Sequence, residues 1–273
     1  MLQPSLRAAL VALAVTAGCG ASSSSSASHA CDVPTTAAVP AGVRELHFPA
    51  ADGLDVTADL YAPHPDSAPF IVLFHQAGSS RGEYRAIAPR LVDLGFNVMA
   101  VDARSGHDRA QVGNATAAAA CRAGKPTTYV DAIADLRAAV AEARNHAKGK
   151  LLIWGSSYSS SLVLVLGAEL HADAVLAFSP GEYFEDQGKP KTWVRDSATA
   201  LAVPVFITSA QHDSEDFTPI ADAIDHAGKT HVTRFLPTTA GTHGSSALAP
   251  TQPDSAAYWT AVTAFLAPFT AAP

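Results

Sequence analysis

Leu151-Leu-Ile-Trp-Gly-Ser-Ser-Tyr-Ser159, continuing through Ser160-Ser161 into Leu162-Val-Leu-Val-Leu166, is an apolar run, a group of small residues and a second apolar run. A strand buried on both faces reads as a short continuous apolar stretch. A sharp turn from such a strand into a helix lifts one side chain above the sheet, and it requires small residues two before and two after that side chain. Centred on Ser157 the flanks are Gly155 and Ser159, both small; centred on Ser156 they are Trp154 and Tyr158, which do not fit. Ser159 has small flanks, Ser157 and Ser161, but would delay the turn well past the strand end. The spacing therefore predicts a strand over 151–154, an exposed hydroxyl at Ser157 and a helix over 158–170. The pattern is Gly-x-Ser-x-Gly with serine in place of the second glycine. A serine-rich turn that merely packs a helix on a strand has the same composition, so chemistry at Ser157 needs partners elsewhere in the chain.

The alternation continues on both sides of this stretch. Arg44 to Ala50 and Leu54 to Tyr61, separated by Asp52-Gly53, read as an antiparallel hairpin. Phe70–Phe74, Asn97–Val101, Ala174–Phe178, Val205–Thr208 and His231–Leu236 are further apolar or β-branched runs of strand length. Helical spacing of apolar residues marks Glu83–Leu94, Tyr129–His146, Asp216–His226 and Asp254–Phe265. Eight strands, with helices alternating through the last six, predict a doubly wound, mostly parallel α/β sheet with helices on both faces. The longest connection, Gly181 to Leu201, is too short for a separate cap domain. Its Tyr183, Phe184 and Trp193, set among Lys189, Lys191 and Arg195, are expected to line one side of a pocket; an amphipathic helix closing the sheet is the other reading.

The 273 residues are 48% hydrophobic and 16% charged, enough for one large core, which excludes a disordered or fibrous chain. Eighteen Lys and Arg against twenty-five Asp and Glu give a net charge of -7 without a basic cluster, so nucleic acid is not an expected partner. No His-Glu-x-x-His, paired-cysteine motif or phosphate-binding glycine loop occurs, and neither a metal nor an organic cofactor is expected.

The first residues read as an address. Arg7 precedes the apolar stretch Ala8 to Val15, small residues follow through Gly18, and the stretch is too short to span a bilayer. Residues 1–18 are thus expected to be a signal peptide, 19–42 a flexible Ser/Ala-rich tether and 43–273 the folded domain. The small residues end on Cys19, and Gly20-Ala21 with Ser22 to Ser26 follow. This resembles the lipobox of bacterial lipoproteins, with Thr16 where leucine is usual; ordinary cleavage near Ala21 or Ala27 is the alternative. The resemblance implies a lipid on Cys19 and a domain held at the outer face of a membrane. Cys31 and Cys121 then remain as an even pair, which an exported chain can join as a disulfide.

In open α/β sheets ligands meet the protein beyond the carboxyl ends of the strands. A serine hydroxyl becomes a useful nucleophile only when a base takes its proton, and the base is oriented by a carboxylate. His243 lies in the glycine-bounded loop Gly241-Thr-His-Gly-Ser245 directly after the last strand; His75, His107 and His212 also lie near strand tips. Asp213 follows the strand ending at Thr208, with Glu215 and Asp216 beside it as alternatives and a helix N-cap as its bland role. The order Ser157, Asp213, His243 is the nucleophile, acid, base order of one large class of hydrolases. An oxyanion needs preorganised N–H donors. One is expected from Tyr158, the other from the loop Phe74-His-Gln-Ala-Gly-Ser79, at Ala77 or Gln76.

His75-Gln-Ala-Gly78, Val101-Asp-x-Arg104, Gly155-x-Ser157-x-Ser159, Asp213 and His243 together resemble a single-domain α/β-hydrolase of the esterase and dienelactone-hydrolase-like kind over about residues 44–267. The family's first motif is commonly His-Gly-x, its third residue donating the oxyanion amide, which matches Ala77; Gln76 stands where glycine is common. Dienelactone hydrolases use a cysteine nucleophile, and this chain has serine there. Asp102 is structural by the same analogy. The resemblance implies a serine esterase acting on a small-molecule ester, without a cofactor. A peptidase, thioesterase or acyltransferase on the same fold, or an inactive envelope binding protein, are the competing expectations, and the sequence does not address oligomeric state.

Overall fold

The computed structural model describes Cys31 and residues 37–270. The expected signal peptide, Cys19 and most of the tether lie outside the described residues. Ten strands occur among them: β1 Arg44–Pro49, β2 Asp55–Tyr61, β3 Phe70–Phe74, β4 Asn97–Val101, β5 Asp108–Arg109, β6 Val112–Gly113, β7 Leu151–Ser156, β8 Ala174–Phe178, β9 Val205–Thr208 and β10 Val232–Phe235. The seven α-helices are α1 Ala88–Asp93, α2 Ala115–Arg122, α3 Ile133–His146, α4 Tyr158–Leu166, α5 Trp193–Ala198, α6 Ser214–Ala227 and α7 Ser255–Thr270. None of these helices is long and apolar enough to cross a membrane.

Eight strands form one sheet in the order β1-β2-β4-β3-β7-β8-β9-β10. β1 and β2 pair antiparallel, β2 joins β4 antiparallel, and the remaining six strands run parallel. Successive side chains of a strand point to opposite faces. Phe70, Val72 and Phe74 of β3 accordingly pack under α3, α4 and α6, with Leu136, Val140, Leu162 and Ile220, while Ile71 and Leu73 meet Leu91 of α1 and Trp259 and Val262 of α7. Every residue of β3, β4, β7, β8 and β9 is buried, which is why these strands read as continuous apolar runs.

Register brings the strand tips together. Phe74 pairs with Gly155, Ser156 with Phe178, Phe178 with Thr208, and Thr208 with Phe235. The loops leaving β3, β7, β8, β9 and β10 therefore converge on one edge of the sheet. Two ion networks brace the same carboxyl edge on its β1–β2–β4 side. Arg81, almost wholly buried, binds Asp59 (2.9 Å), Glu45 (2.6 Å) and Asp102, whose carboxylate also accepts the Arg81 and Ala115 amides. Arg104 binds Asp135 (2.7 Å) and Asp52 (2.8 Å). Asp102 and Arg104 of the Val-Asp-x-Arg motif are both held in these ion pairs, a structural place that the analogy implied for Asp102.

Several boundaries differ from the sequence reading. The helix expected over 83–94 is split into a 3₁₀ turn at Arg81–Tyr84 and α1, because Pro89 lies in the first turn of α1, where its missing N–H costs nothing. Residues ahead of Ile133 form a turn in which Asp131 accepts from the Thr128 amide and hydroxyl. The small β5–β6 hairpin and α2 were not expected at all. A disulfide joins Cys31 to Cys121, 90 positions apart in sequence and with Cα atoms 5.5 Å apart, a loop whose closure contributes on the order of 4 kcal/mol in the chain-entropy model. The Ala37 amide donates to Gln111 (2.7 Å) and Arg85 to the Ala38 carbonyl (3.1 Å). Contacts with the sheet domain thus begin ahead of residue 43, within the expected tether.

Candidate active site

Ser157 stands between β7 and α4 with φ 57° and ψ -125°, a left-handed conformation that costs a non-glycine residue on the order of 1–3 kcal/mol. The surroundings hold it there. Its amide donates to Phe178 O (2.8 Å), and a Cβ on Gly155 would overlap the Ser159 carbonyl and the Ser160 amide. Ser159, in place of the usual glycine, is used rather than tolerated: its hydroxyl donates to Phe74 O (2.7 Å) and accepts from the Ser156 amide (2.9 Å). Ser156 is fully buried while Ser157 is partly exposed.

Asp213 follows β9 and is buried; its carboxylate Oδ2 accepts from His243 Nδ1 at 2.6 Å. It occupies the N-cap position of α6 but makes no capping bond, so its side chain serves the histidine. Glu215 and Asp216 are exposed and have no bond to His243. A proton on Nδ1 leaves Nε2 as a lone pair, and among the described residues Nε2 has no protein partner. The loop carrying His243 is clamped to the serine turn: Gly244 N donates to Ser179 Oγ (3.0 Å) and Ser245 N to Ser156 Oγ (2.8 Å). Gly244 is obligatory, since its φ is 68° and a Cβ would press on Ser156 Oγ and Gln76 Oε1. An imidazole so held can take a proton at Nε2 and return it.

The other histidines near strand tips are otherwise engaged. His75 is buried, its Nδ1–H donating to Gln76 O (2.7 Å) and its Nε2 accepting from Ala103 N (2.9 Å). His107 is exposed beside Asp108, and His212 is exposed with Nε2 3.0 Å from the far oxygen of Asp213.

Two amides were expected to offer a donor opposite Tyr158. Gln76 is corrected: its N–H already donates to Glu83 Oε2 at 2.8 Å. Ala77 N–H and Tyr158 N–H have no acceptor among the described residues. Gln76 O accepts from His75 Nδ1 and from Ser79 N (3.3 Å), and because a trans peptide sets N–H opposite C=O, the Ala77 amide faces away from both.

The segment after β8 divides in function. Tyr183 donates to Ser179 O (2.9 Å), and burial pushes its phenol well above the ordinary range, so it keeps its proton. Its ring stands over Gly181, where a Cβ would meet it. Phe184 is instead a core residue, edge-on to Tyr129 and Trp193, and Trp193 lies under Lys189 along an outer groove of about 500 Å³ with Arg104 and Arg137. Of the three expected aromatics, only Tyr183 bonds to Ser179, whose hydroxyl accepts from the Gly244 amide. Glu83 is not marked by the sequence, where it is one of four charged residues, with Arg85, Arg90 and Asp93, in the stretch 83–94. Among the described residues, no three His, Cys, Asp or Glu side chains group as a metal site.

A serine lifted above the C-terminal edge of a doubly wound sheet, with an Asp–His pair on the two following loops, defines an α/β-hydrolase. The chain belongs to the dienelactone hydrolase family, whose model matches residues 56–238. The structure is similar to an esterase of Pyrococcus furiosus, with TM-score 0.63, 17% identity, and 84% of this chain and 91% of that one covered. It is also similar to the acylaminoacyl peptidase of Pyrococcus horikoshii (TM-score 0.60, 12% identity, 84% and 41% covered) and to an esterase domain from Rhodothermus marinus (TM-score 0.54, 14% identity, 82% and 97% covered). No curated protein sequence matches it significantly. Likenesses this remote speak for the fold, and the family speaks for a hydrolase.

Proposed function

We propose that the protein cleaves carboxylic esters through an acyl-enzyme on Ser157, as an exported enzyme held at the bacterial envelope by lipid on Cys19. The observation that carries the catalytic reading is the 2.6 Å Asp213–His243 bond on a loop clamped to the Ser157 turn. Ser157 Oγ gives its proton to His243 Nε2 and attacks the acyl carbon. The Ala77 and Tyr158 amides receive the oxyanion, each donor contributing about 3 kcal/mol to the transition state. Collapse expels the alcohol, protonated by His243. Water then repeats the sequence and releases the acid, and Asp213 keeps the proton-bearing nitrogen turned inward throughout. The similarity to both esterases and a peptidase leaves the leaving group to the substrate, so esters, thioesters and peptide amides are compared directly.

The test is kcat/KM on short-chain p-nitrophenyl esters. Wild type is expected to turn over, Ser157→Ala to fall by at least about 10⁴-fold, and Ser156→Ala to keep a measurable fraction. Equal loss in both variants, or loss in Ser156→Ala alone, overturns the assignment of the nucleophile. Faster turnover of thioesters or peptide amides than of esters moves the reading to a thioesterase or peptidase.

A further inference from the structure

Glu83 is a carboxylate with no place in the chemistry above, yet it is buried directly beneath it. It projects from the 3₁₀ turn Arg81–Tyr84 that follows the β3 loop, and only 7% of it is exposed. Both oxygens accept. Oε2 takes the Gln76 amide at 2.8 Å, and Oε1 takes the Ser156 hydroxyl at 2.8 Å. Ser156 Oγ in turn accepts from Ser245 N at 2.8 Å. One carboxylate therefore ties together the loop of Ala77, the turn of Ser157 and the loop of His243, each partner being one or two residues from the group proposed to react.

We propose that Glu83 is a positioning residue that sets the oxyanion-binding amide of Ala77 and couples it to the serine and histidine loops. The inference rests on the serine-hydrolase reading. Its physical basis is the peptide preceding Ala77. With Gln76 N–H held by Glu83 and Gln76 C=O held by His75 and Ser79, that residue is fixed at both ends, and the Ala77 N–H that follows it is left without an acceptor among the described residues. Capture of the Gln76 amide also removes a competing donor from the site. Burial pushes the Glu83 carboxyl upward, opposed by the Gln76 and Ser156 hydrogen bonds and by His75 and Arg109 nearby. Two donors facing its two oxygens call for the ionised form.

A glutamine at this place has the same shape but one acceptor. If its NH₂ faces Gln76, two donors collide and the loop must move; if it faces Ser156, the serine hydroxyl loses its acceptor. One arm fails in either case, at a buried site where an unpaired donor is expensive.

The experiment compares wild type, E83Q and S156A by fluorophosphonate active-site titration, by kcat and KM on p-nitrophenyl acetate, and by the Ki of an aliphatic trifluoromethyl ketone, which the serine captures as an oxyanion. E83Q is expected to titrate fully, to keep KM near the wild-type value, to lose about 100-fold in kcat and to bind the ketone about 100-fold more weakly, the loss of one oxyanion donor. S156A, which breaks only the arm to Ser245, should lose less of both. A purely structural role lowers the titratable fraction and leaves kcat per titrated site and Ki unchanged; that result overturns the inference. If E83Q does not fold, S156A decides, and wild-type kcat and Ki in S156A overturn the coupling. A wild type that takes up no fluorophosphonate overturns the serine-hydrolase reading and this inference with it, whereas an active wild type equalled by E83Q overturns this inference alone.

Discussion

Asp213 serves two histidines with one carboxylate, His243 on Oδ2 at 2.6 Å and His212 on Oδ1 at 3.0 Å. The two are not equivalent, because His212 is largely exposed on the surface while His243 is held by the Gly244 and Ser245 amides against the serine turn. Asparagine at 213 would offer its NH₂ to one of the rings and favour the wrong tautomer of His243. Asp213→Asn should therefore lower kcat by about 10⁴-fold with little change in KM, as for other triads whose acid is neutralised. Glu215→Gln and Asp216→Asn, at exposed positions, should remain near wild type. Steady-state kinetics of the three variants checks this, and loss at 215 or 216 with retention at 213 would reassign the acid. Ser157, Asp213 and His243 were legible from sequence because each sits at a strand tip, where one-dimensional order fixes location. Glu83 was not, because it acts through partners on other elements, Gln76 and Ser156. Sequence spacing carries no trace of such pairs.

The element best braced by charge is the β1–β2 turn. Asp52 there accepts both Arg104 Nη atoms at 2.8 and 3.1 Å, and this pairing holds its carboxyl down at about 2. A folded-state value below the unfolded one, about 3.9, means a contribution fully present above about pH 4 and lost as pH falls through about 2. Asparagine keeps the turn chemistry of Asp-Gly, so Asp52→Asn isolates the charge. Because Asp52 is partly exposed, the expected effect is small: a Tm lower by about 2 °C at pH 7, with the gap narrowing below about pH 4 and closed below about pH 2. Thermal unfolding followed across that range tests it, and a gap that persists at low pH would show the pairing to be irrelevant. Strands were the most legible elements, since burial on both faces leaves an uninterrupted apolar run. The β5–β6 hairpin was invisible because two-residue strands have no period, and its turn uses Ala110 and Gln111 at positive φ instead of glycine. Five of the eight residues of helix α2 are alanine, so it shows no apolar stripe; its one cue was Asn114, whose side chain caps the Ala117 amide at 2.7 Å.

At the scale of the molecule, a sheet buried between two helical layers presents one working edge, and the Cys31–Cys121 bond fastens the N-terminal approach to α2 at the domain surface. From there about a dozen residues lead back to Cys19, the cysteine proposed to carry lipid. The wild-type protein should enter the detergent phase on Triton X-114 partition and Cys19→Ser the aqueous phase, with equal turnover per molecule. Protein free in the medium with an N-terminus beyond residue 19 would make it a simple secreted hydrolase. The catalytic claim stands apart from location and meets its most direct test in one measurement, the intact mass and peptide map of protein treated with a fluorophosphonate. The expected result is one adduct per chain, on Ser157, abolished by prior heat denaturation. No adduct, or an adduct on Ser156 or on any other serine, would contradict a nucleophile at Ser157.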